Sequence, residues 1–442
     1  MRSERMHKAA LAAALIVPLG LLHAWVLAEI GIGLVDVLFL LECARGRGFA
    51  WARQPWFMVA MLWWGWLLLC SLPLPWLGTG GAGWRMGFMQ ALVIPRFFVF
   101  TAALQGWVLS TPGARRAAWW MLAAASVWIG LEAWQQYLTG SNLFGDHRWS
   151  DGSLTGPFRR PRAGALYAHL LFAAMLPPVL TMLGRREAGW RGVGWRAGAV
   201  GLAALGVVTA VLIGQRMGVV LSAVGLAGTA LLMPQLRRVV VLLVLVAGAV
   251  LLAAPVISPP TYAKLVGETY VNLRHFTLSP YGELFTRASV MGLQSPWHGW
   301  GYNGFRLLCP QARFGGGLPA LGIAPTALGL GACNLHPHNF YFQAFVDAGI
   351  PGLLLFIGMI VTWLATLARG LWGRAEPLRA GLLIAVVTFV WPFGSADEFP
   401  ILYMSGWLFF VFGLALAAKD EAVSGWGRRL PVDTSQPLRH LG

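Results

Sequence analysis

The sequence predicts an all-α, polytopic membrane protein of about twelve transmembrane helices, with a long loop between the ninth and the tenth. Three observations carry this prediction. Apolar residues make up 57% of the chain and charged residues 11%, a balance that a soluble domain rarely reaches. Apolar runs long enough to cross roughly 30 Å of hydrocarbon recur along almost the whole length. The net charge of +16 is scattered between these runs, which argues against a nucleic-acid-binding face.

In chain order the runs cover residues 9–27, 30–41, 57–72, 86–109, 117–137, 163–183, 197–213, 217–232, 239–256, 342–367, 380–393 and 401–418. The first follows Arg2, Arg5 and Lys8 and so resembles a signal peptide. No small-residue cleavage site follows it, however, and the next run begins almost at once, as in a helical hairpin. The organisation expected is nine helices over 1–256 with a short loop near 138–162, a large loop over 257–341, three helices over 342–418 and a tail over 419–442. Trp56, Trp76, Trp84, Trp149, Trp297 and Trp300 lie near run ends, where indoles anchor at the membrane interface.

With a cytoplasmic N-terminus, 21 of the 33 Lys and Arg residues fall on the cytoplasmic side, as the positive-inside rule requires. The clusters Arg45/Arg47/Arg53, Arg115/Arg116, Arg185/Arg186/Arg191/Arg196, Arg237/Arg238 and Arg369/Arg374/Arg379 share that side, and both termini are cytoplasmic. Two outside segments break the pattern: 138–162, with Arg148, Arg159, Arg160 and Arg162, and 257–341. Long loops translocate regardless of charge; an anionic ligand is the second explanation.

Cys43 and Cys70 read as small buried hydrophobes. Cys309 and Cys333 lie in the long outside loop, which in a Gram-negative cell faces the oxidising periplasm, so a disulfide between them is expected. It would staple the Gly-rich stretch Phe314-Gly-Gly-Gly-Leu318. No zinc-ligand spacing is present.

The stretch most able to carry chemistry is Asn334-Leu-His-Pro-His-Asn339 at the mouth of the tenth run. His336 and His338 can exchange protons near neutral pH; the competing reading is an N-cap turn built on Asn339 with solvated histidines. Arg216 opens the eighth run, and Arg287 lies in the long loop shortly before His298-Gly-Trp-Gly301. Both face the same outer surface as His338, although an isolated Arg also commonly snorkels to the interface. Arg96 sits deeper in its span, a second-tier ligand candidate or a structural partner of Glu132 or Asp36. The outside carboxylates, chiefly Asp146, Asp151, Glu268, Glu283, Asp397 and Glu398, form no compact cluster, so the chemistry is expected to need neither metal nor other cofactor. Nucleotide loops, nucleophile elbows and kinase motifs are absent.

These features together resemble the O-antigen ligase and polymerase superfamily, bacterial membrane glycosyltransferases that use undecaprenyl-diphosphate-linked glycans. The likeness rests on the twelve-run layout, the long loop before the third-last run, His336-Pro-His-Asn339 with Gly349-Ile-Pro-Gly352, Gln215-Arg216, and Arg287 with Gly299-Trp-Gly301. Gln215 departs from the Ser common in relatives. The resemblance implies an inner-membrane enzyme with its site at the periplasmic face, moving O-antigen from undecaprenyl diphosphate to lipid A–core oligosaccharide. Arg216 and Arg287 would bind the diphosphate, helped by Arg159, Arg160 and Arg162. His338 would act as general base, with His336 or Asn339 fixing its tautomer. Single displacement would invert the anomeric centre. Two alternatives stay open: a polymerase that extends the O-antigen itself, and a non-enzymatic transporter or flippase of polyprenyl-linked glycan.

Overall fold

The protein is represented by a computed structural model, which describes residues 2–74, 81–185, 187–325, 333–394 and 398–424. Trp76, Arg186, Asp397 and most of the 419–442 tail lie outside the described residues. Helix dominates, and the described residues hold no β-strand, only isolated bridges between Ser141 and His147 and between Leu318 and Ile323.

Helices α1 (Arg2–His23) and α2 (Trp25–Glu42) form the expected hairpin, followed by α3 (Pro55–Cys70). The 86–109 run divides into α4 (Ala82–Leu92) and α5 (Pro95–Ala103), because Pro95 cannot donate into a continuous helix. Next come α6 (Pro112–Thr139), α7 (Ala163–Leu183), α8 (Gly189–Leu212), α9 (Arg216–Leu232) and α10 (Arg237–Ile257). Thr111 caps α6 by accepting from the Ala114 N–H, and Gly140, at φ +89°, ends it. The large loop is itself helical in α11 (Pro259–Tyr262), α12 (Thr269–Arg274), α13 (Pro280–Gln294) and α14 (Gly304–Leu308). Helices α15 (Phe340–Ala368), α16 (Pro377–Phe389) and α17 (Leu402–Ser424) complete the described elements.

Among the described residues, seven helical segments are long and apolar enough to cross a membrane: Ser3–His23, Gly83–Val108, Ala163–Leu183, Gly189–Leu212, Pro234–Ile257, Phe340–Ala368 and Leu402–Asp420. The apolar helices Pro55–Cys70, Arg216–Leu232 and Pro377–Phe389 are shorter. Helix α17 is buried almost throughout, whereas α10 is mostly exposed at the periphery. Around α17 an aromatic core packs Phe97 against Phe409 and Trp363 against Phe412.

Side-chain contacts define two ends of the helical layer. At one, Ser3 donates to Glu42, Arg47 donates to the Gly106 carbonyl, and Gln105 donates to Asp420. At the other, Arg162 lies over the rings of Trp25 and Tyr403, Gln215 meets the start of α7, and Asn339 meets the Pro392 carbonyl. The large loop packs on this second end and has its own apolar core of Leu284, Ala288, Met291, Phe305, Leu308 and Phe314.

Arg96 differs from expectation. Its guanidinium forms an ion pair with Glu29, 2.9 Å away, and interacts with Asp36 only through its charge, without a direct ion pair. Glu132 instead accepts from the Leu143 N–H. The interruption before α5 places Arg96 near α2, where Glu29 is the carboxylate it contacts directly.

Candidate active site

The loop reaches α15 through glycine. Gly349, at φ +67°, breaks α15 internally and releases carbonyls that a helix would otherwise engage. The loop supplies their donors: Trp300 N–H to Val346 O at 2.8 Å and Gly301 N–H to Asp347 O at 2.8 Å. In return Ile350 N–H donates to Pro296 O at 2.7 Å, and the Trp66 indole donates to Ala348 O at 2.9 Å. A Cβ on Gly299 would lie 2.4 Å from the Ala348 nitrogen, and one on Gly349 would lie 2.5 Å from Pro296 O. Gly299-Trp-Gly301 and Gly349-Ile-Pro-Gly352 are therefore two halves of one interlock that fixes the loop against the mouth of α15. Non-helical backbone near the membrane is tolerated here because protein groups satisfy it.

At that mouth, Asn339 is the N-cap of α15. Its Oδ1 accepts from Tyr341 N–H (2.9 Å) and Phe342 N–H (3.1 Å), and its amide donates to Pro392 O (2.7 Å). Asn339 thus anchors the turn and leaves the tautomer to other groups. His338 has a left-handed backbone, at φ +54°, which places its ring among three side chains. Its Nδ1 lies 3.2 Å from His336 Nε2, its Nε2 lies 2.7 Å from Asn334 Nδ2, and Tyr281 meets it edge-on.

Hydrogen-bond direction follows from Asn334. Its Oδ1 accepts from the Leu335 N–H at 2.7 Å, so the amide group facing His338 is the donor Nδ2. His338 Nε2 is then the acceptor, and a neutral His338 carries its proton on Nδ1, donating to His336 Nε2. His336 suits that role: burial first, then the His338 ring when it is protonated and the Arg306 charge, push its pKa down to about 3. Neither histidine is the solvated surface group of the simpler sequence reading. The arrangement leaves His338 Nε2 as the basic atom.

Arg306 and Glu398 form an ion pair at 3.2 Å, with Glu398 buried. Burial, then the Glu398 charge, raises the Tyr302 hydroxyl well above the ordinary phenol range.

Arg216 stands at the first position of α9. It donates through Nε to Lys264 O at 3.3 Å and forms an ion pair with Glu268. Lys264 in turn pairs with Asp151 and reaches Ser153 Oγ at 3.3 Å. Burial pushes the Asp151 carboxyl up, but hydrogen bonds from Lys264 and Ser153 outweigh it and hold the group below its ordinary value.

Arg287 has different partners. It is fully buried in the loop core, donates to Cys309 O at 2.5 Å and lies 3.6 Å from Cys333 Sγ. Burial lowers its pKa, partly offset by Glu283. Cys309 and Cys333 form a disulfide, so Arg287 braces the segment leading into Asn334. Arg159 and Arg160 are exposed, and Arg162 stacks on Trp25 and Tyr403 at 5.1 and 4.3 Å. The three expected helper arginines therefore share the end of the layer with Arg216 but not one pocket.

Sequence reasoning missed Asn334, Tyr281 and Arg306 as neighbours of the histidines. Asn334 alone carried a local signal, being four residues before His338. Tyr281 and Arg306 are brought in by the loop fold.

No curated protein matches the chain. A family model described as O-antigen ligase matches residues 201–357, the stretch that contains Arg216, Arg287 and His338. That match supports assignment of the chain to the O-antigen ligase/polymerase family.

Proposed function

We propose that the protein is an O-antigen ligase of the bacterial inner membrane, moving glycan from undecaprenyl diphosphate to lipid A–core oligosaccharide at the periplasmic face. The observation that carries this reading is the hydrogen-bonded Asn334–His338–His336 row, which leaves Nε2 of a neutral His338 as a proton acceptor at the same end of the helical layer as Arg216. The acceptor hydroxyl displaces the Asn334 amide from Nε2, loses its proton there and attacks the anomeric carbon. The C–O bond to the diphosphate breaks on the opposite face, giving inversion, and the diphosphate leaves with the electron pair.

Arg216 binds the leaving diphosphate, since a guanidinium fork matches phosphate oxygens and stays charged at any working pH. Arg287 adds positive charge from within the loop core, where it is buried against Cys309. Arg159, Arg160 and Arg162 raise the local concentration of the anionic donor. The twelve-span topology, with cytoplasmic termini and no metal in the reaction, belongs to the same proposal. The orientation is supported by Arg45 and Arg47, which contact Met6 in α1 and the Gly106 carbonyl at the end of the layer opposite Asn339.

Purified protein supplied with undecaprenyl-diphosphate glycan, lipid A–core and chelator is expected to form glycan-extended lipid. His338→Ala should lower the rate by about 10²–10⁴. Lengthened donor glycan without ligation would instead identify a polymerase, and bound donor with no new glycosidic bond would point to transport.

A further inference from the structure

The start of α9 is built for an anion, and a carboxylate of the chain itself occupies it. Two helix N-termini converge here: a Cβ on Gly218 would lie 2.8 Å from the Gly164 carbonyl carbon, so α9 and α7 meet almost backbone to backbone. The positive poles of both helices point to the same end of the layer. Gln215, only 8% exposed, spans the junction, its Oε1 accepting from Gly164 N–H at 2.9 Å and Ala165 N–H at 3.2 Å. That leaves its Nε2 as a buried donor without a hydrogen-bond partner among the described residues. A buried unpaired N–H donor is costly unless some acceptor uses it. Beside it, the half-buried Arg216 guanidinium is held by Glu268, whose side chain is 51% exposed. Glu268 ends the stretch between α11 and α12, and around it Tyr262 of α11, Val266, and Tyr270 and Val271 of α12 are exposed rather than packed into the bundle. The carboxylate is thus delivered by a lightly packed segment.

We propose that Gln215 and Arg216 form a seat for the donor's diphosphate and that Glu268 is an internal competitor for it, displaced when the donor binds. This rests on the reading given under Proposed function and adds two residues to it. Gln215 caps α7 through its oxygen and donates to a phosphate oxygen through Nε2. Glu268 sets donor affinity by exchanging one anion for another on Arg216. No covalent bond changes in this exchange.

The test measures binding of undecaprenyl diphosphate, with undecaprenol as the uncharged control, to the full-length protein in phosphatidylcholine nanodiscs. Wild type should prefer the diphosphate. Glu268→Gln and Glu268→Ala should each bind it about 1.5- to fivefold more tightly, the range expected for removing a partly exposed ion pair. Gln215→Glu keeps both contacts to α7, loses the Nε2 donor and adds a negative charge, so it should bind more weakly. Equal or weaker binding by both Glu268 variants would overturn the proposal and make the ion pair a structural tie. So would unchanged binding by Gln215→Glu. If wild type does not distinguish diphosphate from alcohol, the ligase reading itself fails, and that result differs from failure of the competitor alone.

Discussion

His336 is held in its neutral form beside His338. In the folded protein its pKa is pushed down to about 3, against an ordinary value of 6.5, because burial, then a protonated His338 and the Arg306 charge, oppose a further proton. Between those values the unfolded chain binds more protons at this residue than the folded one, so stability rises with pH. The contribution is complete above about pH 6.5 and is lost as pH falls toward 3. The melting temperature of the detergent-solubilised protein should therefore be higher at roughly pH 7.5 than at roughly pH 5. His336→Gln should narrow that difference; an undiminished difference would assign the acid sensitivity to other groups. At this scale His338 and Arg216 could be singled out as candidates from residue type and position at run ends. Arg287 was readable as a charge in the loop, but its burial against Cys309 was not, because an arginine's partners across 22 residues depend on how the loop folds.

Among the elements, the glycine interlock between α15 and the 296–301 stretch tests most directly what positions the site. Gly349→Ala combines a positive φ with a Cβ 2.5 Å from Pro296 O. It should cost roughly 1–3 kcal/mol from backbone strain, with the clash in addition. The melting temperature should fall, and proteolysis in the loop should accelerate. Gly358→Ala, in the same helix with nothing near its Cβ, is the matched control and should be neutral or slightly stabilising. Similar losses from both would mean that helix propensity, not the interlock, governs. The sequence marked both glycine motifs only as parts of the family resemblance. Their role in joining loop to helix emerges only from the backbone contacts, since the two motifs lie 50 residues apart.

For the whole molecule, the Cys309–Cys333 bond closes the loop segment that leads into the histidines. Cross-linking across 24 residues is worth about 3.5 kcal/mol on the chain-entropy account. Reduction, or Cys309→Ser, should leave the helices folded while exposing the 309–325 stretch to protease and lowering transfer. A variant with wild-type protease resistance and transfer would show that the loop's apolar core holds the segment without the bond. The sequence by itself determined the membrane class, the helical segments and the region that holds the histidines, because apolar length, charge placement and residue type are local properties. The partner of Arg96, the tautomer of His338, the separate surroundings of Arg216 and Arg287, and the pairing of Arg216 with Glu268 were decided only in three dimensions. Each depends on which polar group desolvation and packing bring within hydrogen-bond reach, and sequence spacing does not encode that distance.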